Sequence, residues 1–339
     1  MNIGEVARYC GVSRSTVSYA LSGKRTISPE TRDRILAAID ELGYQPATAS
    51  QTLKRSRTGA VGLVIPPAGE QLTAMQLDFV GAVMEAAARA DLDVLLSPSG
   101  DDHGSSFERI VTGQHLDGVI LTEIRLDDPR VERLRRARIP FVMIGRPTRP
   151  DAMSWVDLDT AALVSRCVDH LVELGHRHIA LINRSVSLVM AGYGPAHRAR
   201  EGFGRATARH GAEGVEFCCA DNTRAGESCI ETILRAYPQV TAIVTVNEAA
   251  LPGIERALER AGLEVPRSLS ITGIVARKWA EQFHPSLTAI DVPATALGST
   301  AVDFLRERIA KPGTAPTHVL LAPPIDLRCS TGPVGVREH

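Results

Sequence analysis

The sequence predicts a small all-α head of three helices, a short hinge, and a large α/β core of two doubly wound parallel-sheet lobes. Three observations carry that expectation. Up to Gly43 the chain shows three sets of helix start and stop signals. From Gly59 onward, continuous apolar runs of strand length alternate with stretches of helical period, the pattern of parallel sheets covered on both faces. Residues 59–331 are too many for one such sheet, so two similar lobes with a cleft between them follow. A ligand belongs in that cleft, at the carboxyl ends of the strands.

The head is organised around the stretch Gly11 to Gly23. Ser13 is placed as a helix N-cap whose hydroxyl takes a backbone N–H of the first turn. Val17 and Leu21 fall on one helical face, and Arg14, Ser15, Ser18, Tyr19 and Ser22 fall on the others. Such a helix buries one stripe and presents short polar side chains with one arginine. That suits base edges in a major groove, and equally an ordinary solvated amphipathic helix. The flanks decide between the two. Asn2, with Glu5 three residues on, forms a capping box that starts a first helix. This helix carries Ile3, Val6 and Ala7 inward and ends at Gly11, a residue suited to a left-handed cap. Two short helices joined through Gly11-Val12-Ser13 make a helix-turn-helix. A third helix opens at Ser28-Pro29-Glu30, with an N-cap serine, a proline at the first helical position and an acid in the first turn. Its apolar face, Ile35, Ala38, Ile39 and Leu42, closes a three-helix core.

Pro46 to Arg57 comes next. Thr48, Ser50 and Thr52 are mediocre helix formers, and the stretch is too short to be helical unaided. By itself it reads as a flexible linker made basic by Lys54, Arg55 and Arg57. Strands are then expected at Val61–Ile65, Val94–Leu96, Gly118–Leu121, Phe141–Ile144, Ile179–Ile182, Ala242–Val246 and Leu269–Ile274. Helices are expected at Phe79–Ala90, Phe107–Gly113, Arg130–Arg138, Thr160–Leu174, Arg198–His210, Gly226–Tyr237, Ala249–Ala261 and Ala294–Ala310.

Charge is uninformative for the whole chain but not for its parts. Residues 1–58 hold nine Lys/Arg against five Asp/Glu, a surplus of four positive charges, whereas the remainder has a surplus of five negative ones. A basic head on an acidic body fits phosphate binding by the head alone. No apolar run reaches membrane-spanning length and no signal peptide is visible, so a cytoplasmic protein is expected. The six cysteines show no C-x-x-C spacing and read as reduced, mostly buried thiols. His176-x-His178 has no third ligand nearby, so no metal is expected, and no cofactor either.

Val6-Ala7, Gly11-Val12-Ser13, Thr16-Val17-Ser18, Ser28, Thr31-Arg32 and Leu42-Gly43-Tyr44-x-Pro46 together resemble the DNA-binding head of the lactose-repressor (LacI/GalR) family. The likeness continues through Val156-x-x-Asp159, Leu174-Gly175-His176, Glu201-Gly202-Phe203, Pro285-x-Leu287-Thr288 and Leu327-Arg328-Cys329-Ser330. It implies a periplasmic-binding-protein-like core at 59–331 after a helix-turn-helix domain at 1–45 and a hinge at 46–58, with a tail at 332–339. Lobe one is expected at about 59–158 and 290–316, and lobe two at about 159–289 and 317–331. Crossings are placed near 157–160, 288–291 and 315–318. The hinge is implied to become helical on DNA, with Leu53 as an apolar wedge in the minor groove.

Three function classes compete: a DNA-binding transcriptional regulator, a small-molecule receptor of solute-binding type without gene control, and an enzyme. The head and basic hinge favour the first. The last lacks a P-loop, a G-x-G-x-x-G after a strand, or a nucleophile elbow, and His103 and His115 read as solvated loop histidines. The expectation is a repressor acting as a homodimer on a pseudo-palindromic operator, controlled by a carbohydrate or related metabolite. A dimer rather than a tetramer is expected because the residues after Arg328 hold no heptads. Base readout is assigned to Arg14, Ser15, Thr16, Ser18 and Tyr19, and phosphate contacts to Ser13, Ser22, Thr26, Ser28 and Thr31. Tyr19 stands where relatives usually carry Arg. Ala47 and Ser50 also depart from the hinge pattern. For the effector, the resemblance points to Arg146, Asp159, Tyr193, Arg198, Arg200, Asn222, Asn247 and Val275. Val275 stands where sugar-binding relatives place an Asp, Asn222 where they often place an aromatic, and Ala199 where they place an arginine. These departures set a ligand larger than, or different from, a free hexose against a sugar held through other groups.

Overall fold

A computed structural model describes residues 3–22, 25–42, 57–65, 74–98, 104–113 and 115–335. The chain divides into two compact units, Met1–Thr58 and Gly59–His339. In the first, α1 (Ile3–Tyr9), α2 (Arg14–Ser22) and α3 (Pro29–Glu41) enclose Val6, Val17 and Ile35, all three without solvent exposure. Ser13 Oγ accepts the Thr16 N–H at 3.1 Å, and Ser28 Oγ accepts the Thr31 N–H at 3.3 Å. Both serine caps stand where the sequence puts them. The turn between α1 and α2 passes through Gly11 at φ +64°, a conformation that costs a glycine little. On α2 the buried partner of Val17 is Ala20, with Leu21 packed at the edge. Asn2, Gly23, Gly43, residues 46–56 including Leu53, and His103 lie outside the described residues, as does the side chain of Ser22.

In the second unit the strands are, in chain order, β1 (Ala60–Ile65), β2 (Asp93–Pro98), β3 (Gly118–Leu121), β4 (Phe141–Ile144), β5 (Trp155–Leu158), β6 (His178–Asn183), β7 (Glu213–Cys218), β8 (Ala242–Thr245), β9 (Ser270–Ile274), β10 (Thr288–Ile290), β11 (His318–Leu321) and β12 (Ile325–Asp326). Helices α4 (Ala74–Arg89), α5 (Gly104–Gly113), α6 (Pro129–Ala137), α7 (Thr160–Glu173), α8 (Val186–Met190), α9 (Gly194–His210), α10 (Thr223–Ala236), α11 (Leu251–Arg260), α12 (Arg277–Gln282) and α13 (Ala294–Ala310) connect them. They form two six-stranded sheets, β11-β5-β4-β3-β1-β2 and β12-β10-β9-β8-β6-β7, parallel except for the β10–β12 pair. An apolar cluster running through Leu63, Val83, Leu305, Leu163, Leu181 and Phe203 takes in one face of each sheet, and each lobe has a second cluster on its other face.

The chain crosses between lobes three times. The first crossing is at Asp159, between β5 and α7. The second falls at 291–293 rather than 288–291, because β10 still pairs with β9 through Ile290. The third needs a larger correction. Residues 318–321, expected in lobe two, pair with Trp155–Leu158 of lobe one, held by Trp155 N–H to Thr317 O at 3.0 Å and Asp159 N–H to Leu321 O at 2.9 Å. The crossing therefore lies at 322–324. Being an edge strand, β11 is half-exposed along its length, and its apolar run, Val319 to Ala322, is short and lies between Pro316 and Pro323.

His176, considered as a metal ligand, is instead a buried hydrogen-bonding hub between Thr241 Oγ1 (2.9 Å) and Ser270 Oγ (3.0 Å). Burial lowers its pKa from the usual histidine range. Among the described residues no helix is long and apolar enough to cross a membrane.

Candidate functional site

The head presents one face and the core one cleft. On α2, Arg14, Ser15 and Ser18 are exposed, while Thr16 and Tyr19 are half-buried. Arg14 lies across α1: a Cβ on Gly4 would come within 2.7 Å of its Nε, so the glycine makes room for it. Ser13 Oγ also sits 2.7 Å from Ser15 Oγ and 2.8 Å from Thr16 Oγ1, a small cluster of hydroxyls at the helix start. Thr26 and Ser28 are exposed, and Thr31 is half-buried, its hydroxyl accepting from Ser28 Oγ at 2.7 Å. Backbone donors and hydroxyls at two helix N-termini suit phosphate oxygens.

The cleft holds a cavity of about 130 Å³ walled by both lobes. Its polar wall comes from the carboxyl ends of strands, where a doubly wound sheet opens its loops. Thr122 and Glu123 follow β3, Asp157 lies within β5, and Arg184, Asp221, Asn247 and Glu248 follow β6, β7 and β8. Phe79, Ile65, Ile144, Ile274 and Leu297 supply the apolar part.

Most of these polar groups engage one another. Arg184 makes a fork to Asp221, Nε to Oδ1 at 3.0 Å and Nη2 to Oδ2 at 2.6 Å, and its guanidinium sits 5.4 Å over the Tyr193 ring. Gln76 Nε2 donates to Glu123 Oε1 at 2.6 Å. Glu123 holds a left-handed backbone, φ +48°, that costs a non-glycine residue energy. Arg130 secures that turn, donating through Nη2 to the carbonyls of Thr122 and Glu123 at 3.0 and 3.2 Å. Glu248 accepts the Ala276 N–H at 3.3 Å through Oε2, while its Oε1 is buried without a hydrogen-bond partner among the described residues. Burial pushes both the Glu123 and the Glu248 carboxyls up from the usual range. Asp157 accepts from Arg146 Nη1 at 2.9 Å, with Arg198 Nη1 at 3.8 Å. Burial still outweighs the pull of Arg198 and Arg146 and carries its pKa up to about 6.

The lobes are joined around this cavity. Arg125 and Tyr193 form an antiparallel bridge, flanked by Leu126 N–H to Gly192 O at 2.7 Å and Gly194 N–H to Ile124 O at 3.0 Å. Lys278 on α12 pairs with Asp78 on α4 at 2.6 Å.

Of the eight expected effector residues, Tyr193 and Asn247 line the cavity. Asn247 is held in place by donating to Cys219 O at 2.8 Å. Arg146 and Arg198 stand behind Asp157, Arg198 also donating to Arg146 O at 2.6 Å. Asp159 caps α7 through the Ala162 N–H, and Asn222 caps α10 through the Ala225 N–H. Arg200 is exposed and forked onto Glu216. Val275 is a correction. It is wholly buried in the lobe-two core, because successive residues of an extended chain face opposite ways and Ile274 takes the cleft side. Gln76, Glu123, Asp157, Arg184 and Asp221 also line the cavity, beyond the residues the sequence suggests. Their signal was position: each of the last four lies at or just beyond the carboxyl end of a strand.

Residues 2–47 match the description of bacterial regulatory proteins of the lacI family, and residues 168–331 match a periplasmic binding protein-like domain. The HTH-type transcriptional regulator AglR of Rhizobium meliloti (strain 1021) is 30% identical over 100% of this chain and 96% of its own. The HTH-type transcriptional regulator CelR of Thermobifida fusca is 31% identical over 93% of this chain and 94% of its own. Among solved structures, a complex of transcriptional regulator CelR with cellobiose has a TM-score of 0.71 at 27% identity, covering 97% of this chain and 99% of that one. The lac repressor dimer bound to operator and the anti-inducer ONPF shares the fold, with a TM-score of 0.81 at 23% identity over 98% and 99% of the two chains.

Proposed function

The chain belongs to the LacI family of DNA-binding transcriptional regulators, and from that premise we propose a repressor that binds a pseudo-palindromic operator as a homodimer and answers to a carbohydrate in its interlobe cleft. It works in the cytoplasm, where the chromosome is. Helix α2 enters the major groove, with Arg14, Ser15, Thr16, Ser18 and Tyr19 facing base edges. Ser13, Ser22, Thr26, Ser28 and Thr31 hold phosphates, and Leu53 of the hinge opens a minor-groove step. One head reads one half-site, so two-fold symmetry asks for two chains.

The observation that carries the effector reading is the cavity itself, walled by both lobes and rich in hydrogen-bond acceptors. Glu123, Asp157, Asp221 and Glu248 line it, and the buried Glu248 Oε1 has an acceptor position to spare among the described residues. Carboxylates accept from adjacent hydroxyls, and Phe79 and Tyr193 offer faces for a sugar ring. These acceptors supply what position 275 does not. The likeness to a regulator solved with cellobiose supports a ligand of more than one ring ahead of a free hexose.

The test pairs two measurements. Thermal unfolding with a panel of pentoses, hexoses and disaccharides should show a shift with at least one disaccharide, since a ligand at a hundredfold its Kd stabilises by about 2.7 kcal/mol. Retardation of the genomic DNA fragments that the chain binds should then change on adding that sugar. Retardation that no sugar alters, with no thermal shift across the panel, would overturn the effector reading.

A further inference from the structure

At the end of the first sheet away from the cleft, a second hollow of about 260 Å³ opens beside the amino ends of β4 and β5. Three arginines line it, Arg135, Arg138 and Arg308, and no acidic residue does. Arg135 shares the single carboxylate of Glu132 with Arg136, at 3.1 and 2.9 Å. Arg138 and Arg308 have no ion pair among the described residues. Arg308 Nη1 reaches Ser154 Oγ at 3.3 Å, while its Nε is buried without an acceptor. A buried donor left unmade is unfavourable until an acceptor arrives. Arg138 ends α6 in the left-handed conformation, φ 56°, a position where glycine is the common choice.

The background makes this concentration of charge informative. Residues 59–339 carry five more acidic than basic side chains, so a carboxylate-free wall of three arginines is not an average sample of the surface. The planar forks of guanidinium groups match tetrahedral oxyanions, and three of them match a dianion better than a carboxylate. We propose that this hollow is a second ligand site, which binds a phosphate group. Because the sheet is parallel, the hollow opens at the same sheet end as Ala60, where the chain enters the core from residue 58. Two sources of phosphate fit that place: a phosphorylated small molecule, or the backbone of DNA flanking the operator.

The experiment uses the full chain, its Arg138→Asn and Arg308→Gln variants, and Arg149→Gln, an exposed arginine outside the hollow, as control. Asparagine tolerates the left-handed position, so Arg138→Asn keeps the fold. Thermal unfolding is followed against inorganic phosphate and against potassium chloride of matched ionic strength. Operator retardation is followed against salt. A phosphate-specific stabilisation whose half-saturating concentration rises about tenfold in both variants but not in the control identifies a free phosphate ligand. No such stabilisation, with a salt slope of operator binding lowered by about one per arginine removed, identifies DNA as the source. If phosphate acts no differently from chloride and both variants keep the wild-type salt slope, the proposal is wrong.

Discussion

The face of α2 and the interlobe cleft both present polar side chains, and they hold them in opposite ways. On α2, Arg14, Ser15 and Ser18 are exposed, with Arg14 laid against Gly4 of α1 and the Ser15 hydroxyl against that of Ser13. In the cleft, Arg184 is forked onto Asp221, and Gln76 donates to Glu123 and Arg146 to Asp157, before any ligand arrives. A surface that must settle against base edges and waters can order its rotamers on contact. A cavity that must distinguish small molecules does so with groups already aligned, so that less ordering is lost on binding. Damage should therefore spread differently in the two places: through a network in the core, and one contact at a time in the head.

Arg184→Ala breaks that comparison most severely. It leaves Asp221 without its forked partner and removes a favourable charge from the buried Glu123, and removing one member of a buried pair costs about 3–5 kcal/mol. The core should unfold at lower urea and lose its ligand response, while the circular-dichroism signal of folded helices persists in the absence of urea. Wild-type urea stability would show that the fork is ornamental. Next in size, Leu53→Ala should weaken operator binding by roughly a few kcal/mol, the scale of one unstacked base step, with ligand affinity unchanged. Operator bent and bound as by the wild type would reduce the hinge to a tether.

A third expectation concerns pH. Asp157, raised to about 6 by burial, holds its proton in the folded state at a pH where the unfolded chain, titrating near 4, has released it. The folded state then binds more protons, and its stability falls as pH rises. Between about pH 4 and 6 the core should lose roughly 1–3 kcal/mol from this group. Asp157→Asn should flatten that slope in urea titrations at a series of pH values; a slope that survives would assign it elsewhere, with Glu123 and Glu248 the next candidates because burial raises them in the same direction.

The same contrast explains what the sequence disclosed. Caps and periodicity are local, so Ser13, Ser28, Pro29 and Gly11 announced the head residue by residue. Central strands, buried on both faces, announced themselves as apolar runs; Gly118–Leu121 and Phe141–Ile144 were read to the residue. Other strands did so less evenly. Of the edge strands, β2 shows its run at Val94–Leu96, whereas in β7 the run Glu213–Cys218 mixes acids with apolar residues because one side meets water; β5, inside its sheet, is interrupted by Asp157. Asp157, Glu123 and Arg184 were illegible for a further reason: each is defined by partners far along the chain, Arg198, Gln76 and Asp221 respectively. Val275 went wrong by one residue, which in an extended segment is the opposite face.

The smallest effects separate holding from reading within the head. Ser13 and Ser15 lie two residues apart, with their hydroxyls 2.7 Å from each other, yet the proposed function gives them different tasks. Ser13 Oγ takes the Thr16 N–H, so Ser13→Ala removes a cap and should cost about 1 kcal/mol of head stability. Ser13→Asp, which keeps an acceptor at the cap and adds a negative charge there, should restore stability but not phosphate binding. Ser15 is exposed and its backbone needs nothing from its side chain, so Ser15→Ala should leave stability within about 0.5 kcal/mol. Its effect should instead be seen as weaker retardation of the operator, greater for the matched sequence than for a scrambled one. Equal loss on both sequences would move Ser15 from base readout to phosphate contact. No loss on either would shift the reading face toward Ser18 and Tyr19.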